Sequence, residues 1–201
     1  MRIALLQQDI LWADVEANHL SAEQAIMRLQ AEADAPEMYV LPEMWSTGYA
    51  VESEGIAEAD NRSLSWMRRM AELTDTAIVG SVSTAENGKY FNRLHFVTPP
   101  GSPSASYDKR HLFTYGGEHL RYTAGERRVV AEWRGARFLL QICYDLRFPV
   151  FARNHEDYDA IVYVASWPAS RRQVWDILLK ARAIENQCYV LAVNRVGSDP
   201  A

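Results

Sequence analysis

Short hydrophobic runs alternate along the chain with longer stretches in which apolar residues recur every three or four positions. The short runs predict buried strands at residues 2–8, 37–41, 76–84, 89–98, 105–108, 129–133, 136–142, 160–164 and 188–194. The longer stretches predict amphipathic helices at residues 16–32, 61–74, 150–155 and 171–186. Strands and helices that alternate in this way are typical of an α/β protein.

Turn-forming residues divide the chain without splitting it into domains. Glu86-Asn87-Gly88 and Arg134-Gly135 predict two hairpins. The most loop-like segment runs from Pro99 to Pro103, which is the length of a turn between strands and not of a linker. The 201 residues are 48% hydrophobic, enough to bury one sizeable core, and they contain no internal repeat. We therefore predict a single domain that spans residues 1–201.

Three chemically reactive side chains follow directly after predicted strands. Glu43 comes after the apolar run 38–41, Lys109 after the strand at 105–108, and Cys143 after the strand that ends at Ile142. Active sites of α/β proteins lie at strand ends of this kind. Taken singly, each side chain has an ordinary structural explanation: a buried thiol that packs, a turn cap, and a surface ion pair with Asp108. Taken together, a thiol, a carboxylate and an ammonium form a coherent catalytic set.

Five segments of the chain, in order, resemble the sequence signature of the nitrilase superfamily, the carbon-nitrogen hydrolases. The segments are LPEMW..GY around Glu43, YDKRHLF around Lys109, CYDLRFP around Cys143, then SWP, and RAIENQ.YV...NRVG from Arg182 to Gly197. The residues of these segments are most similar to those of the omega-amidase branch. The resemblance implies a four-layer α-β-β-α sandwich. Because relatives continue beyond the point where this chain stops, we expect the C-terminal strands of that sandwich to be missing.

The resemblance also implies a role for each residue of the site. Cys143 attacks the amide carbon, and Glu43 takes up and returns protons. The ammonium of Lys109 and the backbone N–H of Tyr144 stabilise the negative oxygen. Glu118 matches a second family glutamate that orients the lysine and the substrate.

The branch resemblance points to a short dicarboxylic acid monoamide, such as 2-oxoglutaramate, whose terminal amide is hydrolysed to acid and ammonia. Its carboxylate needs a cationic partner, and Arg171 or Arg172 at the start of a helix are the candidates. Trp167, in the SWP segment, is expected at the substrate pocket. Tyr115 and Phe113 are candidate walls of that pocket.

Other functions remain open at this stage. The same scaffold hydrolyses nitriles, N-carbamoyl amines and longer amides, and a shortened chain can serve as a non-catalytic assembly module. A redox-active thiol at Cys143 is a weaker hypothesis. His111 and His119 allow a Cys/His pairing, which we disfavour because Glu43 is available as a base. Asp145 and Arg147 are interpreted as a structural ion pair.

Composition narrows the partners and the compartment. The net charge of -5 and the pI of about 5.6 argue against nucleic acid and anionic membranes as partners, so we expect a small-molecule amide and a second copy of the chain, as a homodimer. No glycine-rich phosphate loop or metal-ligand spacing appears, and we predict neither cofactor nor metal. The absence of a signal peptide, a membrane-spanning segment and a disulfide framework favours the cytoplasm, with Cys188 as core packing.

Overall fold

A computed structural model describes residues 1–50 and 54–199, which form two β-sheets. The first sheet has the order β1 (Ile3–Leu5), β2 (Met38–Val40), β3 (Ala77–Glu86), β4 (Lys89–Val97) and β5 (Ala105–Asp108). The second has the order β6 (Val130–Trp133), β7 (Ala136–Ile142), β8 (Ala160–Ala165) and β9 (Tyr189–Asn194). Strands β1 to β3 are parallel to one another, as are β7 to β9, and the remaining pairs are antiparallel.

In the described part of the chain, four α-helices accompany the sheets: α1 (Val15–Gln30), α2 (Arg62–Thr74), α3 (Pro149–Ala152) and α4 (Arg172–Asn186). The predicted strands and helices are confirmed in type and order, and most boundaries shift by one or two residues. Two elements differ most: the strand predicted at 2–8 spans only Ile3–Leu5, and the helix predicted at 150–155 is a single turn that ends at Ala152. None of the helices in the described residues combines the length and hydrophobicity that crossing a bilayer requires.

The two sheets pack face to face. Alternate residues of β2, Met38 and Val40, belong to the same buried cluster as Phe138, Leu140 and Ile142 of β7. Each large apolar side chain that is fully buried in this layer contributes roughly 1.5–3 kcal/mol to stability. The space between the sheets is therefore the main core of the protein.

The helices cover the outer faces of the sheets. The other side chains of β2 and its extension, Tyr39 and Leu41, pack with Ile26 of α1 and Met67 of α2. On the far side, α4 packs through Trp175 against the second sheet. The result is the four-layer α-β-β-α sandwich that the family resemblance implied. The hydrophobic periodicity alone predicted an α/β protein but not this layering.

Both predicted hairpins are present. Asn87 and Gly88 have φ angles of 51° and 73°, and Arg134 and Gly135 have φ angles of 47° and 81°. Positive φ at both central residues defines the turn that matches the twist of antiparallel strands. The first hairpin fixes the long β3–β4 pairing, in which Glu86 lies opposite Lys89.

Candidate active site

Cys143 sits in a constrained backbone turn at the end of β7. It starts a 3-10 helix, Cys143–Arg147, with a φ of 44°, which a residue with a side chain rarely adopts. The carboxylate of Asp145 accepts the backbone N–H of Ile142 at 2.9 Å and holds the turn closed. Pro149 occupies the first turn of α3, as predicted. This local strain is maintained by its surroundings and presents the thiol at the sheet edge.

Glu43, Lys109 and Glu118 form a buried charged cluster beside that thiol. Lys109 Nζ lies 2.7 Å from Glu43 Oε1 and 2.8 Å from Glu118 Oε2, and all three side chains are fully buried. Cys143 is 7% exposed and lies close enough that the charges of Glu43 and Lys109 both act on its thiol. The structure brings the four sequence-predicted residues together from four separate segments.

Burial and charge set the protonation of the cluster. Burial alone would lower the pKa of Lys109, but the carboxylates of Glu118 and Glu43 outweigh it and hold that pKa well above its usual value. The pKa of the Cys143 thiol is raised, first by burial and then by the Glu43 carboxylate, while Lys109 opposes the shift. Cys143 is therefore a neutral thiol at rest, and Lys109 stays a cation.

Backbone N–H groups fix both carboxylates in place. Ser166, at the end of β8, donates its N–H to Glu43 Oε2 at 2.9 Å. Phe113 donates its N–H to Glu118 Oε2 at 2.6 Å. Charge-assisted bonds of this kind are among the stronger hydrogen bonds in proteins, so neither carboxylate is free to swing.

Asn92 is a member of the cluster that the sequence analysis missed. Its Nδ2 donates to Glu43 Oε1 at 2.8 Å and to Glu118 Oε1 at 3.0 Å. Along β4 it occupies the same face as Leu94 and Phe96, which point into the core between the sheets. A polar residue in an inward-facing column of a strand is the signal that could have found it.

A cavity of ≈ 900 Å³ opens over Cys143 and carries a cationic wall. Trp167, Arg171 and Arg172 line it, as expected for substrate-binding residues, and so does Phe113. The guanidinium of Arg171 lies 4.9 Å from the centre of the Phe113 ring. The indole of Trp167 is fixed because its Nε1–H donates to the Arg171 carbonyl at 3.0 Å.

Tyr115 is the exception among the predicted pocket residues. Its side chain is 86% exposed, and it does not line the cavity. The 3-10 turn Thr114–Gly116 carries it away from the opening, while Phe113 at the preceding position faces inward. The prediction that Tyr115 walls the pocket is corrected to Phe113 alone.

The interpretation of Asp145 and Arg147 as an ion pair is also corrected. Asp145 is fully buried and accepts bonds from Tyr107 Oη at 2.8 Å and from the backbone N–H of His111 at 2.9 Å. Arg147 points the other way, with its guanidinium 5.3 Å from the Trp167 ring centre, and lines the cavity. Asp145 anchors the turn, and Arg147 belongs to the cationic wall.

The two histidines near Lys109 do not build a Cys/His pair in this structure. His111 Nδ1 lies 2.8 Å from Asp145 Oδ1, and its ring stacks on Phe148 at a centroid distance of 3.7 Å. His119 is exposed. Cys188 is half-buried and packs against the main core, consistent with its expected role.

The chain is similar to known proteins along almost its whole length. A family model described as carbon-nitrogen hydrolase matches residues 2–200. An omega-amidase from Yersinia enterocolitica is 45% identical over 99% of this chain and 76% of its own length. A 2-oxoglutaramate amidase from Bacillus subtilis is 38% identical over 98% of this chain and 77% of its own length.

Solved structures give the same result. A CN-hydrolase superfamily protein from Xanthomonas campestris, with an arsenic adduct in its active site, has a TM-score of 0.94 and 42% identity over 100% of this chain and 77% of that one. An amidase from Nesterenkonia sp. AN1, with acrylamide added to its active-site cysteine, has a TM-score of 0.88 and 25% identity over 98% of this chain and 79% of that one.

The chain belongs to the carbon-nitrogen hydrolase family, within the nitrilase superfamily. Inside that family it is an omega-amidase-like enzyme, a hydrolase of amide carbon-nitrogen bonds.

Proposed function

We propose that this enzyme hydrolyses the terminal amide of a short dicarboxylic acid monoamide, of the 2-oxoglutaramate type, through a thioester on Cys143. The observation that carries the proposal is the fully buried Lys109–Glu43 pair, 2.7 Å apart, beside a thiol that opens into a cationic cavity. The similarity to an omega-amidase and to a 2-oxoglutaramate amidase supports the choice of substrate.

In the first half of the reaction, Glu43 accepts the proton of the Cys143 thiol, and the sulfur attacks the amide carbon. Lys109 carries three N–H donors, of which Glu43 and Glu118 each accept at least one, and the residue also lines the cavity over Cys143. In the proposed mechanism the Lys109 ammonium turns one of these donors to the substrate oxygen and stabilises it as it becomes negative. The backbone N–H of Tyr144, the second residue of the 3-10 helix, has no partner inside that helix and supplies the other donor.

In the second half, Glu43 returns its proton to the departing nitrogen, and ammonia leaves a thioester on Cys143. Glu43 then takes a proton from water, whose oxygen attacks the thioester carbon. The carbon-sulfur bond breaks, Glu43 returns the proton taken from water to the sulfur, and the product is a carboxylic acid. Glu118 takes no proton in this scheme and keeps Lys109 in position.

The far end of the substrate bears a carboxylate, and the cavity wall offers guanidinium groups to bind it. Arg147, Arg171 and Arg172 all line the cavity, and the Arg147 guanidinium lies 5.3 Å from the centre of the Trp167 ring. Arginine binds a carboxylate through two parallel N–H bonds, which fixes orientation as well as position. Binding at this end would place the terminal amide over Cys143.

Compartment and assembly are part of the same proposal. A mechanism that depends on a free thiol suits the reducing cytoplasm. Self-association into a homodimer is supported by Ile177 and Ile184, which lie seven positions apart on one face of α4 and are 57% and 77% exposed. Light scattering coupled to size-exclusion chromatography measures the assembly state directly.

An ammonia-release assay tests the function. The panel contains 2-oxoglutaramate, succinamate, a simple nitrile and an N-carbamoyl amine, each incubated with the wild type and with Cys143→Ala. We expect release from the two monoamides by the wild type alone. Preference for the nitrile or the N-carbamoyl amine would assign another carbon-nitrogen substrate, and a folded wild type that releases no ammonia would point to a non-catalytic assembly module.

A further inference from the structure

Asn92 lies between the two buried carboxylates, and none of the roles described so far uses its side chain. Its amide nitrogen is 2.8 Å from Glu43 Oε1 and 3.0 Å from Glu118 Oε1, and the residue is fully buried. An amide NH₂ carries two hydrogens, so each carboxylate receives one. Its backbone carbonyl also accepts the N–H of Lys109 at 2.9 Å. One residue thus fixes the lysine and both of its partners.

The orientation of this amide is determined by its neighbours. Turning it over would place Oδ1 against two carboxylate oxygens, where no hydrogen is available. In the observed orientation Oδ1 has no hydrogen-bond partner among the residues that the structure describes. A buried acceptor left unpaired is costly, so the two donor bonds must outweigh it. Those bonds require that Glu43 Oε1 and Glu118 Oε1 are both unprotonated.

The charges around the pair explain why such donors matter. Two carboxylates close together disfavour each other's ionised form. Within the described residues, the titratable groups that face them are Lys109, Cys143, Tyr49 and Tyr122. The pKa values of both tyrosines are raised by burial, and the thiol is neutral, so Lys109 supplies the positive charge. Asn92 adds two more donors without adding charge.

We propose that Asn92 is a positioning residue whose NH₂ group binds the ionised form of both Glu43 and Glu118 and leaves Oε2 of Glu43 as the atom that exchanges protons with Cys143. The inference rests on the proposed role of Glu43 as the base. Glu43 Oε1 is occupied by Lys109 Nζ and Asn92 Nδ2, at 2.7 and 2.8 Å. Oε2 accepts the Ser166 N–H and keeps one lone pair free for the thiol proton.

The substitution Asn92→Leu tests this inference, because leucine has the same branched shape and no donors. We expect the acid limb of the pH profile of kcat/KM to move upward by about one unit, since hydrogen bonds to an ionised form favour that form. At a pH on that limb, kcat/KM would fall about tenfold, because one pH unit is a tenfold change in the active fraction. At higher pH it would approach the wild-type value. An equal loss at every pH would indicate a merely structural role and overturn the inference.

Asn186→Leu is the matched control. Asn186 is a buried amide at the end of α4 that donates to the Arg182 carbonyl at 3.0 Å and accepts the Asn154 N–H at 2.9 Å. The same chemical change there should lower stability and leave the acid limb where it is. If Asn92→Leu does not fold, Asn92→Ser retains a single hydroxyl donor, and an unshifted profile in that variant would contradict the inference.

A second readout separates this inference from the proposed function. The rate at which iodoacetamide alkylates Cys143, followed against pH, requires no amide turnover. A wild type that hydrolyses no amide would refute the proposed function. The alkylation profiles of the wild type and Asn92→Leu could still be measured and compared in that case. We expect the alkylation profile to shift upward together with the kinetic one. Superimposable alkylation profiles in the two folded proteins would overturn the role of Asn92 even if amide hydrolysis were intact.

Discussion

Lys109 Nζ and Glu43 Oε1 lie 2.7 Å apart although the residues are separated by 66 positions and neither side chain is exposed. A buried ion pair carries a large desolvation cost, and its Coulomb attraction often only balances that cost. A hydrophobic pair would stabilise the core as well or better. The pair is therefore better explained by a catalytic role than by a stabilising one. Substitutions in the pair should affect catalytic activity and the free energy of unfolding separately.

Lys109→Met removes the cation and leaves two buried carboxylates without compensation. We expect it to abolish ammonia release and to lower the free energy of unfolding by about 3–5 kcal/mol, measured by urea denaturation. The double variant Lys109→Met/Glu118→Gln removes one negative charge as well. It should recover part of the stability and none of the activity. A single variant as stable as the wild type would show that the cluster is not held by this charge balance.

Glu43→Gln keeps the shape of the site and removes its base. We expect kcat for ammonia release to fall on the order of 10²–10⁴-fold, the usual contribution of general acid-base catalysis. Glu132→Gln on β6, an exposed carboxylate that does not line the cavity over Cys143, is the matched control and should retain wild-type kcat. Equal kcat values for the two variants would remove Glu43 from the mechanism.

Asp145 and Arg147 should act independently, since they contact different groups. Asp145→Ala leaves several buried donors unpaired, including Tyr107 Oη and the N–H of Ile142, and should destabilise the protein by about 3 kcal/mol or more. Arg147→Ala should change stability by less than about 0.5 kcal/mol and should raise KM instead. The two stability effects should add in the double variant. A coupling energy well above about 0.5 kcal/mol would show that Asp145 and Arg147 interact as an ion pair after all.

His95 should make the protein sensitive to acid. Burial, assisted by the charges of Arg93 and Arg68, lowers the pKa of this β4 side chain from 6.5 to about 4. The unfolded chain therefore binds a proton between these values that the folded chain does not, and stability falls as the pH drops from 6.5 toward 4. The loss should approach about 3 kcal/mol in urea unfolding. His95→Asn should flatten this part of the stability profile, and an unchanged slope would contradict the assignment.

The sequence located the strands well because their hydrophobic runs are local signals. It also singled out Glu43, Lys109 and Cys143, since each follows a strand end, and the structure places these three residues beside one another. The layering of the two sheets came from the family resemblance, because runs of buried strand residues do not show which face packs on which partner.

Contacts between distant segments could not be predicted from the sequence. Tyr107 donates a hydrogen bond to Asp145, 38 positions further along the chain, and no local sequence pattern predicts that bond. The expected pairing of Asp145 with Arg147 relied on short sequence separation and was wrong for that reason. Asn92 acquires its role only because the carboxylates of Glu43 and Glu118, from two other segments, meet at its amide. The prediction that Tyr115 lines the pocket was wrong because the backbone conformation of the turn at 114–116 decides where that side chain points, and the sequence pattern does not show this conformation.

Rapid acid quenching of the wild type with 2-oxoglutaramate, followed by peptide mass spectrometry, tests the covalent role of Cys143 most directly. We expect a peptide containing Cys143 whose mass is increased by the substrate less ammonia, and no such adduct in Cys143→Ala. An acyl adduct on Cys188, or ammonia release that persists in Cys143→Ala, would contradict that role.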